Sequence, residues 1–143
     1  MSEAGNKEVI RAFVEEVINK GHLDRADDLV LENFVELDPL PGQQQGRQGL
    51  KEVIESMRAA FPDIHWALDE MVAEGDTVCS RFTWSGTHRG AFLGIQATGK
   101  FVTVKGMVID LLANGKMSES RILMDTLGMM QQLDAIPGPP AAG

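Results

Sequence analysis

Tyrosine is absent from this 143-residue chain, and the other aromatics are few: two Trp and six Phe. Basic residues are also scarce. Thirteen Lys and Arg stand against 21 Asp and Glu, for a formal net charge of −8. That balance argues against a nucleic-acid binder, which needs clustered Lys and Arg to neutralise phosphates. It equally disfavours adsorption to anionic membrane surfaces. No apolar run approaches the roughly 20 residues of a membrane helix, and the N-terminus lacks the basic and apolar regions of a signal peptide. The single cysteine, Cys79, permits no intrachain disulfide. No CxxC or HExxH pattern points to a metal. The expectation is a cytoplasmic protein without metal or cofactor. Cys79 lies in the strand-like run Thr77-Val78-Cys79-Ser80-Arg81-Phe82, where an inert thiol is the commoner case.

What is present is an ordinary globular hydrophobic fraction of 43%, unusually rich in methionine, with eight. The first half has helical period. Val9, Ile10, Phe13, Val14, Val17 and Ile18 form one stripe of a helix predicted over Asn6–Asn19, with Asn6 as cap and Gly21 as stop. A second helix is predicted over Leu23–Leu31, and a short strand over Phe34–Leu37. Pro39 and Pro41 force a loop. Leu50, Val53, Ile54, Met57 and Phe61 mark a third helix, ended by Pro62. The second half changes to period two. Ile64, Trp66 and Leu68 alternate with polar residues, Glu74-Gly75-Asp76 turns the chain, and Val78, Phe82 and Trp84 share a face. A glycine-punctuated connection, Gly86–Gly99, leads to a long strand at Phe101–Leu112. Asn114-Gly115 is a strong hairpin signal, Lys116–Asp125 the last strand, and Gly128–Leu133 a short helix.

Helices followed by a four-strand meander predict an α+β fold, in which a curved antiparallel sheet wraps the N-terminal helices and leaves a conical pocket. One domain is expected over 1–135, with a disordered Pro/Gly tail at 136–143. Asp125 closes the last strand, and Glu119, Arg121, Leu123 and Asp125 share a face by alternation. If that face lines the pocket, desolvation would raise the carboxyl pKa of Asp125 and suit it to acid/base work. Its other reading is a helix N-cap. Asp110, in the apolar run Met107-Val108-Ile109-Asp110-Leu111-Leu112, is read as facing solvent or a partner subunit in preference to the pocket. Asp38, before Pro39, is read as a turn former, and His88 as a satisfied structural residue of the long connection.

Four segments together resemble the SnoaL-like polyketide cyclases, of the nuclear transport factor 2-like cone fold. These are Asp38-Pro39-Leu40-Pro41-Gly42 with Gly46-Arg47-Gln48-Gly49-Leu50; Phe61-Pro62-Asp63 leading to Val72-Ala73-Glu74-Gly75-Asp76; Gly86-Thr87-His88-Arg89-Gly90-Ala91-Phe92-Leu93-Gly94-Ile95 with Thr98-Gly99; and Asn114-Gly115-Lys116-Met117 through Asp125 to Leu133. The resemblance implies ring closure by intramolecular aldol condensation without metal or cofactor. The family's essential aspartate would fall on Asp125, with Arg121 as an oxyanion or carboxylate partner. The departures are Val108, where a histidine often follows glycine in a G-x-H pattern, and Leu37, where many members carry another. Position 121 is often tryptophan in relatives. Leu37, Trp84, Val108, Leu123, Met124 and Met129 are the candidate pocket lining for a small apolar ligand. The alternatives are a non-catalytic small-molecule binder and a pure dimerisation module; a homodimer or higher homo-oligomer is expected in any case.

Overall fold

A computed structural model describes residues 2–137, so most of the tail expected at 136–143 lies outside the described residues. The order of elements is α1 (Glu3–Ala12), α2 (Ala26–Leu29), β1 (Val30–Glu36), α3 (Gly46–Ala60), β2 (His65–Glu74), β3 (Thr77–Thr87), β4 (Phe101–Ala113), β5 (Lys116–Met124) and α4 (Thr126–Gln132). The strands form one five-stranded sheet in the order β1-β5-β4-β3-β2. The last four strands make the expected antiparallel meander, and β1 adds to its β5 edge in parallel. Thus the α+β cone is as expected, with one strand more than the meander. The hairpin between β4 and β5 turns at Asn114 and Gly115, both with positive φ, as its twist demands.

The helices differ from the sequence reading in instructive ways. The first begins earlier, at Glu3, because Ser2 caps it by accepting from the Gly5 amide at 2.9 Å. Asn6 is instead fully buried and donates to the Gly75 carbonyl in the β2–β3 turn. Beyond Ala12 the helix widens into a π-helical segment, Phe13–Asn19. The predicted helix over Leu23–Leu31 is shorter: a 3₁₀ turn at Leu23–Arg25 and then α2. Val30 already belongs to β1, opposite Met117, so tertiary pairing overrides the local helical pattern there.

The apolar stripes of α1, the π-helical segment and α3 face the concave side of the sheet. Ile10, Phe13, Val17, Ile54 and Met57 pack there against Trp66, Phe82 and Trp84. Gly106 of β4 is where the sheet must let an aromatic through. A Cβ there would overlap the Phe82 ring and the Leu123 carbonyl. The convex face is apolar in part, exposing Met107, Ile109, Leu111 and Leu123. Among the described residues no helix is long and apolar enough to cross a membrane.

The end of the π-helical segment is pinned twice. Asn19 donates to the Trp66 carbonyl at 2.9 Å and accepts from the Trp66 amide at 2.7 Å. Arg58 of α3 donates to the Ile18 and Asn19 carbonyls. These carbonyls would otherwise be orphans of the helix end. Asn19→Ala should cost about 1–3 kcal/mol, since it strips a backbone pair that water reaches poorly. Urea unfolding of the two proteins measures this, and Asn19→Asp, which keeps only the acceptor, should fall between them.

Candidate active site

Between the helices and the sheet lies a cavity of about 310 Å³. Its walls are apolar: Phe13, Val14 and Ile18 from the π-helical segment, Val53 and Met57 from α3, and Trp66, Phe82 and Val108 from the sheet. Its polar lining is short and includes Glu36, Asp38, Asp110, Ser120 and Thr126.

Three of these residues form one row across the sheet. Glu36 of β1 is opposite Ser120 of β5, and Ser120 is opposite Asp110 of β4. All three point to the concave side and are buried. Two strand spacings separate the outer members by roughly 10 Å at the backbone, with Ser120 between them. Burial pushes the Asp110 carboxyl up to about 7; the Ser120 hydroxyl opposes that rise, and the charge of Glu36 adds to it. Burial also raises Glu36, against the stabilising amides of Asp38 at 3.0 Å and Ile122 at 3.4 Å. One oxygen of Asp110, Oδ1, has no hydrogen-bond partner, nor has the buried Ser80 hydroxyl on adjacent β3. Unsatisfied buried polar groups are rare in folded proteins; among the described residues Asn6 Oδ1, Trp66 Nε1 and His88 Nε2 are the others. Among the described residues, no three His, Cys, Asp or Glu side chains converge to hold a metal ion.

The expected site residues divide. Val108 and Met124 line the cavity, while Leu123 borders it although it is 69% exposed on the convex phase of β5. Trp84 lies behind its wall, fully buried, with its indole N–H on the Met124 sulfur and its ring edge-on to Phe61. Met129 is buried under α4 and does not reach the cavity, and Leu37 is exposed at the end of β1. Asp125 is exposed, outside the cavity, and caps α4 by accepting from the Gly128 amide at 2.8 Å. The desolvated setting sought for it is absent, and the capping reading describes its contacts. Arg121 is exposed on the convex face, its nearest carboxylate Glu119 at 4.0 Å.

The reason is a β-bulge. Leu112 pairs with Met117 and Leu111 with Glu119, so Ser118 is an extra residue in β5. Simple alternation from the buried Met117 would turn residues 119, 121, 123 and 125 inward. The bulge reverses the phase, and Ser120, Ile122 and Met124 line the cavity instead. Asp110, read as facing solvent or a partner, is 2% exposed and faces the cavity. The residues 102, 104, 108 and 112 of β4 point inward with it, and that alternation is the signal that could have found it. Glu36 was likewise recoverable from Phe34, two positions before it on the same face. His88 is buried away from the cavity, where its Nδ1 accepts from the Thr98 amide and its ring stacks on Phe61, but its Nε2 has no partner, so it is structural without being fully satisfied. Cys79 points to the convex side, opposite the cavity.

Two predictions separate the carboxylates. Asp125→Ala should cost about 1 kcal/mol through the lost cap and leave ligand binding in the cavity unchanged, as titration calorimetry and urea unfolding would read. Asp110 binds its proton more tightly in the folded protein than in the unfolded chain, where it titrates near 3.8. Its contribution to stability is complete below that value and is lost as pH rises through about 7. Asp110→Asn mimics the protonated form. Its stability advantage over the parent should therefore grow by roughly 2–4 kcal/mol from acid to mildly alkaline pH.

A family profile described as SnoaL-like polyketide cyclase matches residues 8–133. No curated protein matches the chain. Among solved structures, TsrD from Streptomyces laurentii is 28% identical with a TM-score of 0.88, over 95% of this chain and 99% of that one. A proposed polyketide cyclase from Acidithiobacillus ferrooxidans is 28% identical, TM-score 0.81, over 94% and 99% of the two chains. Another from Bacillus cereus is 26% identical, TM-score 0.81, over 92% and 82%. With the profile spanning almost the whole chain and the cone and its cavity in place, this protein belongs to the SnoaL-like polyketide cyclase family.

Proposed function

We propose that the protein is a cyclase or related proton-transfer enzyme acting on a small apolar carbonyl compound, with Asp110 as its acid/base. The observation that carries this reading is a buried carboxyl with a free oxygen at the wall of an otherwise apolar cavity. A carbon between two carbonyls is already acidic, so a carboxylate whose pKa lies near neutrality can remove its proton. The resulting enolate carbon attacks a further carbonyl, a third one in the same molecule, forming the ring bond. The Asp110 carboxyl then returns the proton to the new alkoxide. The balance of protons is zero, and the reaction as written takes nothing from outside the substrate. Apolar walls assist by holding the chain folded. Burial keeps the Asp110 proton tightly held, and the neighbouring charge of Glu36 adds to that hold.

The same cavity suits a non-catalytic binding protein, and exchange chemistry distinguishes the two. A dimerisation module would instead favour a filled cone. The exposed Met107, Ile109, Leu111 and Leu123 on the convex face support a homodimer alongside either reading.

The test uses 1-phenylbutane-1,3-dione and follows deuterium exchange at its central carbon by NMR. The protein should accelerate exchange, with a rate that rises as pH passes upward through the Asp110 titration. Asp110→Asn should lose about a hundredfold or more while still binding the probe. Glu36→Gln removes a neighbouring negative charge and should move the midpoint to lower pH. Tight binding without accelerated exchange would establish the binding-protein reading instead.

A further inference from the structure

A second concavity, of about 760 Å³, adjoins the first. It runs over the outer flank of α3 at Glu52 and Ser56, between the loop at Leu40–Gln43, the loop at Ala91–Gly94, and Met130 of α4. The two spaces share four residues: Leu40, Gln43, Val53 and Thr126 line both. These four are the boundary, or neck, that the two spaces have in common. Its side at 40–43 is a closed turn, in which Leu40 donates to the Gln43 side chain and Gln43 donates back to the Leu40 carbonyl, each at 3.0 Å.

The chemistry of the two chambers differs. The inner one is mainly apolar, with Asp38, Gln43, Arg58 and Thr126 beside its carboxyl row, and lies at the small end of ligand cavities, which span about 300–1,000 Å³. It accommodates a head group and little more. The outer groove offers hydrogen-bonding side chains at Gln43, Ser56 and Thr126, and Glu52 is the one charged residue of its lining. A carboxylate there, on a chain of net charge −8, disfavours an anionic occupant.

We propose that the groove is a second subsite, which holds the uncharged, hydroxyl- or amide-bearing remainder of an elongated substrate whose enolisable head passes the neck into the inner cavity. This rests on the acid/base reading of the inner site for the chemistry, and on the shared neck for the geometry. Binding in the groove positions the head beside Asp110, so that interactions far from the reacting carbon help to orient it.

The experiment compares three probes by titration calorimetry. They are 1-phenylbutane-1,3-dione, the same compound with a neutral, hydroxyl-terminated amide arm at the para position, and the arm ended in a carboxylate. The neutral arm should tighten binding at least tenfold, and the carboxylate arm should lose most of that gain. Ser56→Trp and Ala91→Trp, both at exposed positions, fill the groove and should abolish the gain while leaving the short probe's affinity unchanged. Circular dichroism confirms that each variant folds. An arm that adds nothing, or variants that weaken both probes equally, would overturn the subsite. Deuterium exchange on the same samples keeps the two readings apart. Exchange without a gain from the arm sinks the subsite alone, a gain without exchange sinks the acid/base reading alone, and binding of neither probe overturns both.

Discussion

The parallel docking of β1 onto β5 is the contact on which the site depends. Without it the sheet would end at β5, with that strand's backbone groups unpaired. With it, a strand from the N-terminal half joins a meander from the C-terminal half, and Glu36 comes into line with Ser120 and Asp110. Parallel pairing demands a crossover, and here the crossover runs through α3 and the rest of the sheet. The same contact therefore closes the cone, lays the α3 stripe over the cavity and assembles the carboxyl row.

The carboxyl row has a cost that the surroundings partly offset. A charged Asp110 in this setting is penalised by lost hydration, and Ser120 returns only part of it. Glu36 is better supplied, with two backbone amides on one oxygen. The two carboxyls thus differ in kind. Burial raises both, but Glu36 has two amides working against the rise, while Asp110 keeps an unsatisfied oxygen.

The sequence made the fold legible because its signals were periodic. The stripes of the first and third helices, the alternation around Trp66 and Phe82, and Asn114-Gly115 all map onto the elements they foretold. The resemblance to the cone family agreed with them. The site was legible only in part. Val108 and Met124 line the cavity, whereas Asp125 and Arg121, which the family resemblance suggested on the condition that their strand face lined the pocket, lie outside it because Ser118 shifts the phase. A bulge of one residue leaves almost no mark in a single sequence, yet it exchanges the two faces of everything after it. Asp110 was set aside because aspartate is disfavoured in strands. That same improbability, on the buried phase of a strand, was the signal that set Asp110 apart. The helix start failed for a smaller reason, since Ser2 offered a better cap than Asn6 and the chain had a use for Asn6 in the core.

On the proposed reading, the neck divides the protein's tasks along the chain. Acidity would be set by residues at fixed places in strands, namely 36, 110 and 120, and size and selectivity by the turn at 40–43, the loop at 91–94 and the outer flank of α3. Surface loops accept substitution and insertion far more readily than paired strands. A scaffold built this way can be given a new guest by rewriting its rim, while the proton chemistry at its wall is left as it stands.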